Sequence, residues 1–492
     1  MNFMRTMNWK QSIRQSSLAT LAALGIHFAL GYWQGYPFLT DGVAEWIMAR
    51  TPSAWAVPLL ESTGAWAKPF AATGGLAALG FVLWLALLAP IWWMRSIAVA
   101  ILVTALGWAI DYRSLTGLLS FVLPAMALLA RKQTSSIDLV NSSRRELLTS
   151  AAMSSGIVLV ATEAWWRNER LAAKAIVPVP LFRWSLPAER VEWGKGLVRK
   201  PITPIREFYV MSKNTVDPVV DPKTWRLKIL LDDQLLREFS YAELLSLPRQ
   251  EQFVTLRCVS NTLKSDLMGT AAWSGIRLNQ LVRASEVPAK SIEMAVIGLD
   301  GHGDSLRIDY AFSGEPLFAL GMNGETLNRN HGFPIRLLTP RYYGFKSIKW
   351  IDEIRFSSQP YVGTWPKLGF TKEPIIHTAS FVDRIVRDGD KAKVGGVSFA
   401  GVRGVNRVQL RAGSGESGSG ESGSGEWIDA ELESPISPFT LTRWKSELAL
   451  PAGAEILEAR AMDGEGNWQG IVEKPLFPDG VSGPTTKRIP GL

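Results

Sequence analysis

Five long uncharged stretches in the first third of the chain constrain its structure more than any other sequence feature. They occupy residues 15–40, 69–94, 96–110, 114–130 and 147–162. A helix that crosses the hydrocarbon core of a bilayer needs about 20 apolar residues. We therefore predict a transmembrane region over residues 1–166, with helical spans at about 16–38, 70–93, 96–112, 114–130 and 147–166.

The cations between these stretches set the predicted orientation. With the amino terminus in the cytoplasm, eight Lys and Arg residues lie in cytoplasmic segments and three lie outside, as the positive-inside rule requires. Five spans then place everything after Trp166 outside the cytoplasm. We predict a multi-pass protein of the inner cell membrane, with the lipid bilayer as a partner and the later domains extracytoplasmic or periplasmic.

Residues 143–148 (SRRELL) precede the fifth stretch and resemble a twin-arginine export signal placed inside the chain. An ordinary cationic anchor explains the same residues equally well. His27 is the only histidine in the predicted spans, so a pair of axial histidines for a membrane haem is excluded there. Contact of His27 with a quinone stays open, and anchoring is the favoured role of the region.

Charge and cysteine content exclude several classes of protein. The net charge is +8. Residues 1–147 carry 11 Lys and Arg against 6 Asp and Glu, and these cations interrupt very apolar stretches, so we predict no nucleic-acid binding. The single cysteine, Cys258, excludes an intrachain disulfide framework, a cysteine-based zinc site and an iron–sulfur cluster.

The sequence after Trp166 has the patterns of folded domains. A Lys-, Arg- and Pro-rich stretch over 167–204 predicts a tether. Over 205–372, a hairpin turn is predicted at Asp232-Asp233. Short helical patterns there, among them 241–247 and 276–284, alternate irregularly with strand-like runs, which is typical of an α+β domain. Over 373–492, strand-like runs and regular turn signals predict a small β-sandwich. The Gly/Ser/Glu repeat at 413–426 predicts a flexible loop within it, without an assigned function.

Cys258 lies at the end of an apolar strand predicted over 253–259, before a Ser/Asn turn. A lone cysteine usually acts as a small buried hydrophobic residue. The adjacent Arg257 and the strand-to-turn position instead favour a thiolate, which suits transition metals. Spacing alone leaves both interpretations open.

Several motifs in the same order resemble the sulfite oxidase family. Those of its molybdopterin-binding core are 256–261 (LRCVSN), 272–278 (AWSGIRL), 322–325 (MNGE), 331–337 (HGFPIRL) and 343–350 (YGFKSIKW). Later motifs, among them 395–397 (GGV) and 477–480 (FPDG), resemble the family's immunoglobulin-like dimerisation domain. The resemblance covers about 208–481 and implies that the predicted sandwich is immunoglobulin-like.

The resemblance implies a molybdenum held by molybdopterin, with Cys258 as its only protein ligand. It implies cofactor-binding roles for Tyr209, Val210, Met211, Ser212, Lys213, Asp300, His331, Arg336, Ser347, Ile348 and Lys349. Arg336 and Lys349 would neutralise phosphate charge, and His331 would donate a hydrogen bond to the pterin or its phosphate. Asp300 is assigned by a looser alignment.

The resemblance also implies an oxidoreductase that transfers an oxo group and two electrons. Where the family has Arg-Asn-His, this chain has Met211-Ser212-Lys213, and where an arginine follows the cysteine it has Leu263-Lys264. Fewer cations weaken the charge-assisted binding of a dianion. We therefore expect a small substrate other than sulfite, such as a sulfoxide or N-oxide. The alternatives are sulfite oxidation itself and a cofactor-free binding or adhesion module.

The same resemblance bears on partners and export. No haem-binding pattern is present, so electrons would pass through a separate electron-transfer partner or a quinone. The dimerisation domain suggests a homodimer. Because the family receives its cofactor in the cytoplasm, an external domain would cross the membrane already folded, which favours the twin-arginine interpretation of Arg144 and Arg145.

Overall fold

The computed structural model describes residues 182–490, except 215–216, 263–265, 415–424 and 471. The five predicted spans, the twin-arginine-like segment and most of the Gly/Ser/Glu repeat lie outside the described residues. Ser212–Asp221 belongs to a separate compact unit and is described by itself. The fold described below is that of residues 182–211 and 222–490.

The predicted fold class, a five-helix transmembrane region followed by an α+β domain and a β-sandwich, is wrong for the described part of the chain, because no spanning helix is found there and the predicted α+β domain is mainly β-sheet. The α-helices there are short: α1 (Ala188–Glu192), α2 (Tyr241–Ser246), α3 (Leu278–Leu281), α4 (Ile308–Ala311) and α5 (Thr364–Lys367). Among the described residues, no helix has the length and apolar character needed to cross a membrane. The helical pattern at 276–284 was over-interpreted, because strand β4 occupies its start and α3 makes a single turn. Both described domains are therefore mainly β-sheet.

Eighteen strands form four sheets in this part of the chain. In chain order they are β1 (Arg226–Leu231), β2 (Gln234–Ser240), β3 (Gln250–Arg257), β4 (Met268–Ile276), β5 (Glu293–Gly298), β6 (Gly303–Arg307), β7 (Leu317–Met322), β8 (Glu325–Thr326), β9 (Arg336–Leu338), β10 (Ile351–Ser357), β11 (Ala379–Asp388), β12 (Lys391–Phe399), β13 (Val405–Gly413), β14 (Ile428–Asp429), β15 (Glu431–Leu432), β16 (Thr442–Ala449), β17 (Ile456–Asp463) and β18 (Thr485–Arg488).

The first domain contains two sheets. One has the order β2-β1-β10-β5-β6, in which β1 and β10 are parallel and the other pairs are antiparallel. The other runs β3-β4-β7-β8, with β9 paired to β7. Local sequence explains the first hairpin, since Asp232 has the positive φ of 49° that a tight turn requires. A capping box between Ser240 and Glu243 then begins α2.

The second domain is a sandwich of the sheets β11-β12-β16-β15 and β14-β13-β17-β18. Its core contains the fully buried Trp444, Val394 and Leu457. Gly396 permits this packing, because a Cβ there would lie 2.4 Å from the Trp444 ring. A second apolar cluster joins this domain to the first and includes Val259, the residue after Cys258.

Candidate functional site

Cys258 follows the last residue of β3 and begins a loop that returns to β4. Its backbone N–H donates to the Leu267 carbonyl at 2.9 Å, and its carbonyl accepts from the Asn261 N–H at 3.1 Å. The Asn261 side-chain oxygen accepts from the Leu267 N–H at 3.0 Å. These bonds connect the two ends of the loop and fix the backbone of Cys258 where the chain leaves β3.

Burial and the neighbouring polar groups shift the pKa of the Cys258 thiol in opposite directions. Burial raises the pKa of the thiol, whereas hydrogen bonds from the Ser260 backbone and side chain, and the charge of Arg257, lower it. The burial contribution is the larger one. A bound metal cation would reverse this balance, because a coordinated thiol loses its proton.

Arg257 is the last residue of β3 and immediately precedes Cys258. It is fully buried between the rings of Tyr343 and Phe381, at 5.4 and 5.2 Å from their centroids. Its Nη1 donates to the His377 carbonyl at 3.0 Å. Arg257 acts on Cys258 through its charge, which lowers the pKa of the thiol.

A second part of the site is a buried cluster of cationic and imidazole groups, which we call the cation cluster: His331, Arg336 and Lys349. Arg336 Nη1 donates to the His331 carbonyl at 3.4 Å, and Lys349 Nζ donates to the Asn330 carbonyl at 3.0 Å. Burial lowers the pKa of Arg336 to about 10. Burial and the charges of Arg336 and Lys349 lower the pKa of His331 to about 4, so the imidazole is neutral at pH 7.

The bond of His331 Nε2 to the Ile205 carbonyl, at 3.3 Å, fixes the tautomer of the neutral ring. Nε2 carries the proton, and Nδ1 is left as an acceptor. His331 in this form suits an N–H donor on a ligand better than a phosphate oxygen. In this form the ring would meet a ligand as an acceptor at Nδ1, whereas the family resemblance implies a donor.

Tyr209 links Cys258 to the cation cluster. Burial raises the pKa of Tyr209, the charge of the Cys258 thiolate raises it further, and Arg336 lowers it, so the phenol lies within electrostatic range of both. Its ring stacks on Phe208 at 5.4 Å, and Phe208 meets the His331 ring edge-on at 5.5 Å. A Cβ on Gly344 would lie 2.7 Å from the Tyr209 Oη, so this approach requires glycine.

Residues 214–365 match the family described as the oxidoreductase molybdopterin binding domain. Human mitochondrial sulfite oxidase is 27% identical over 333 residues, which cover 57% of this chain and 59% of that protein. The uncharacterized oxidoreductase YuiH of Bacillus subtilis is 27% identical over 165 residues, covering 33% of this chain and 80% of YuiH. The catalytic subunit of protein-methionine-sulfoxide reductase, MsrP, of Gluconobacter oxydans is 28% identical over 186 residues, 34% of this chain and 59% of that subunit.

Residues 214–365 are a molybdopterin-binding oxidoreductase domain. The family match and the sulfite oxidase relatives confirm the predicted enzyme class and the predicted cofactor, molybdenum with molybdopterin. The chain spans about three fifths of the length of the human relative.

The cation cluster fits this cofactor. In the described part of the chain, Arg336 Nε and His331 Nδ1 have no hydrogen-bond partner, and no carboxylate lies within ion-pair distance of Arg336. A buried cation without a counter-charge is destabilising. An anionic ligand with polar edges, as molybdopterin is, would supply the missing charge and partners.

Three further residues with a predicted cofactor-binding role, Ser347, Ile348 and Asp300, make hydrogen bonds within the protein. The Ser347 hydroxyl bonds to Thr339, and the Ile348 carbonyl accepts from the Leu337 N–H at 2.8 Å, so both help to hold the strand-like segment that ends at Lys349. Asp300 is buried and accepts from the His302 N–H at 3.0 Å. Gly298 lies between Asp300 and Lys349, since a Cβ there would meet the Asp300 carboxylate and the Lys349 carbonyl.

The first predicted cofactor-binding segment, residues 209–213, is split between the two compact units of the chain. Val210 and Met211 follow Tyr209 and are 44% and 47% exposed. Ser212 and Lys213 belong to the separate unit, where the Ser212 hydroxyl accepts from the Asn214 N–H at 3.2 Å. Val210 and Met211 are thus the predicted residues that present apolar surface beside Tyr209.

Two aromatic residues of the site were not predicted. Phe208 packs between Tyr209 and His331, and Trp273 lies under the Arg336 guanidinium at 5.6 Å. Trp273 lies inside the motif at 272–278, and Phe208 lies at the start of the region that resembles the family. Sequence alone does not show that the rings of Phe208 and Trp273 meet edge-on at 5.9 Å.

Proposed function

We propose that this chain catalyses a two-electron oxo transfer on a small molecule at a molybdenum ligated by Cys258. The observation that carries the proposal is the buried, uncompensated charge of Arg336 beside His331, connected through Tyr209 to the one cysteine of the chain. A metal ligand at one end and anion-binding groups at the other match the chemistry of a metal–pterin–phosphate molecule.

Each of these residues has one task in the proposed site. Cys258 supplies a thiolate to the metal, and the hydrogen bonds from Ser260 and Val259 share its negative charge. Arg336 and Lys349 neutralise phosphate, and neutral His331 accepts a hydrogen bond at Nδ1. The bound cofactor supplies a metal that takes or gives an oxo group together with two electrons.

For the substrate we propose a sulfoxide, which the chain would reduce. The exposed Val210 and Met211 stand beside Tyr209 and offer apolar contact where a dianion would need cations. The similarity to the sulfoxide reductase subunit also supports this choice. The reaction consumes two electrons and two protons, breaks the S=O bond, and releases a thioether and water, with a separate one-electron carrier as donor.

The test uses the full chain from cells supplied with molybdate. We expect reduction of methionine sulfoxide with reduced benzyl viologen as donor, at a kcat/KM well above that for sulfite oxidation with ferricyanide. Efficient sulfite turnover without sulfoxide reduction would contradict the proposed substrate and support the alternative that the human relative suggests.

A charge substitution sharpens this comparison. Met211→Arg should lower kcat/KM for the sulfoxide and improve the binding of sulfite, because it places a cation beside Tyr209. Val386→Arg, which changes a 38% exposed valine on β11 in the same way, should leave both values unchanged. Equal effects of the two substitutions would show that Met211 does not face the substrate.

The location and assembly of the enzyme stay predictions. The extracytoplasmic position rests on sequence outside the described residues, as does the twin-arginine-like segment. The electron-transfer partner or quinone and the homodimer rest on the family resemblance.

A further inference from the structure

Arg199 connects the loop of the proposed metal ligand to the carboxy-terminal sandwich. Its Nη1 donates to the Asp266 carboxylate at 2.6 Å. Its Nε and Nη2 donate to the Asp383 carboxylate at 2.9 and 2.5 Å, and its backbone N–H donates to the same group at 2.8 Å. Asp383 lies on β11, whereas Asp266 lies in the loop that begins at Cys258.

We infer that Arg199 is a positioning residue for the Cys258 ligand. Asp266 immediately precedes Leu267, whose carbonyl accepts the Cys258 N–H and whose N–H donates to Asn261. A shift of Asp266 therefore reaches the cysteine through one peptide unit and one hydrogen bond. The guanidinium holds this end of the loop against the sandwich. The inference rests on the proposed function only in taking Cys258 as the metal ligand.

The two carboxylates have different roles in this connection. The Asp383 side chain is 12% exposed and receives several bonds, so it anchors the guanidinium. The Asp266 side chain is 71% exposed and receives one ion pair from Arg199, so it is the group that is held. A lysine cannot replace this arrangement, because its ammonium lacks the planar fork that reaches two carboxylates at once.

Arg199 stays charged across the accessible pH range. Burial acts to lower its pKa, but the two carboxylates outweigh burial and raise the pKa above its ordinary value. A cavity of about 590 Å³ borders Arg199, Asp266 and Asp383. Water in this cavity can solvate the carboxylates when the guanidinium is removed, so we expect substitutions at Arg199 to fold.

The test measures the reactivity of Cys258 in the full chain prepared from cells grown without molybdate. Since the chain has one cysteine, the rate of alkylation by iodoacetamide reports on this loop alone. We expect Arg199→Gln and Asp266→Asn each to raise the rate about threefold, the size expected for loss of a partly exposed ion pair. In the loaded enzyme, Arg199→Gln should lower kcat without changing KM and shift the sulfur-to-molybdenum absorption band.

Arg443→Gln is the matched control. Arg443 also fastens the segment before the first domain to the sandwich, through the carbonyls of Arg190 and Trp193. It makes no hydrogen bond to the described residues of the Cys258 loop, 258–262 and 266–267. We expect it to lower the melting temperature and leave the alkylation rate unchanged. An unchanged rate in Arg199→Gln, or an equal rise in Arg443→Gln, would overturn the inference. Absence of molybdenum from the wild type would instead contradict the proposed function, and the metal-free alkylation result would still stand.

Discussion

Lys346 and Arg336 are both buried cations of the first domain, but the protein surrounds them differently. Lys346 is 1% exposed, and its Nζ donates to the Asp304 carboxylate at 2.9 Å and to the Ser305 carbonyl at 2.7 Å. Arg336 is 6% exposed and has a single long bond, to the His331 carbonyl. Across residues 182–490, apart from the undescribed gaps, no carboxylate pairs with Arg336.

The difference separates a structural charge from a ligand-binding one. A buried ion pair that is complete within the protein contributes to the fold, and breaking it is strongly destabilising. A buried cation without a counter-charge opposes the fold until an anion binds. The charges of Lys346 and Asp304 therefore balance each other within the domain, whereas we propose that the cofactor balances the charge of Arg336.

The largest effect is expected at the metal ligand itself. Cys258→Ser removes the thiolate, so oxo-transfer activity should fall by more than the roughly 10- to 100-fold that loss of a group orienting a ligand costs. Turnover of the preferred substrate by the purified variant, normalised to folded protein, checks this. Retention of wild-type activity would show that Cys258 does not hold the metal.

Breaking the complete ion pair should affect stability before anything else. Lys346→Gln leaves the Asp304 carboxylate buried without its cation, and we expect a loss of about 3–5 kcal/mol in the free energy of unfolding. Urea unfolding of the metal-free chain measures it. If the variant keeps its stability but loses cofactor, Lys346 belongs with the ligand-binding region and the comparison fails.

Removing the unpaired cation should have the opposite consequence. Arg336→Gln relieves a buried charge, so the metal-free protein should be at least as stable as the wild type. Cofactor retention should fall about 10- to 100-fold, because a charge-assisted contact to phosphate is lost. Molybdenum content after dialysis, measured beside Lys346→Gln, distinguishes the two cations. A large loss of stability in Arg336→Gln would contradict the account.

The smallest expected effect is a pH dependence that comes from His331. Its pKa is about 4 in the fold and near 6.5 when exposed, so the unfolded chain binds a proton that the folded chain does not. Stability of the metal-free protein should therefore fall as pH decreases from about 6.5 to about 4, by about 2 kcal/mol between pH 7 and pH 5. In His331→Gln this part of the pH dependence should disappear, and an unchanged pH profile would contradict burial as its cause.

Local sequence was sufficient for much of the first domain. The turn at Asp232-Asp233, the helix that starts at Tyr241 and the strand that ends beside Cys258 all agree with the structure, because turn residues, a capping box and apolar alternation act over a few residues. Such local patterns could not predict the parallel pairing of β1 with β10, because the two strands lie far apart in the chain.

The candidate site shows the same limit. The motifs named Cys258, Arg336 and Lys349 individually, but the acceptor role of His331 depends on a carbonyl at Ile205 that no local pattern indicates. Arg199 lies in a stretch whose composition predicted a tether, and only the three-dimensional contacts connect it to Asp266 and Asp383. The helical pattern predicted over 276–284 begins at Ile276, the last residue of β4, and only Leu278–Leu281 forms a helix.

The central claim is that Cys258 holds molybdenum at one end of a cofactor whose charge Arg336 neutralises at the other. X-ray absorption at the molybdenum edge tests it most directly, by counting the sulfur atoms bound to the metal. We expect three sulfurs in the wild type, two from molybdopterin and one from Cys258, and two in Cys258→Ser. The same sulfur count in both proteins, or no molybdenum in the wild type, would contradict the account.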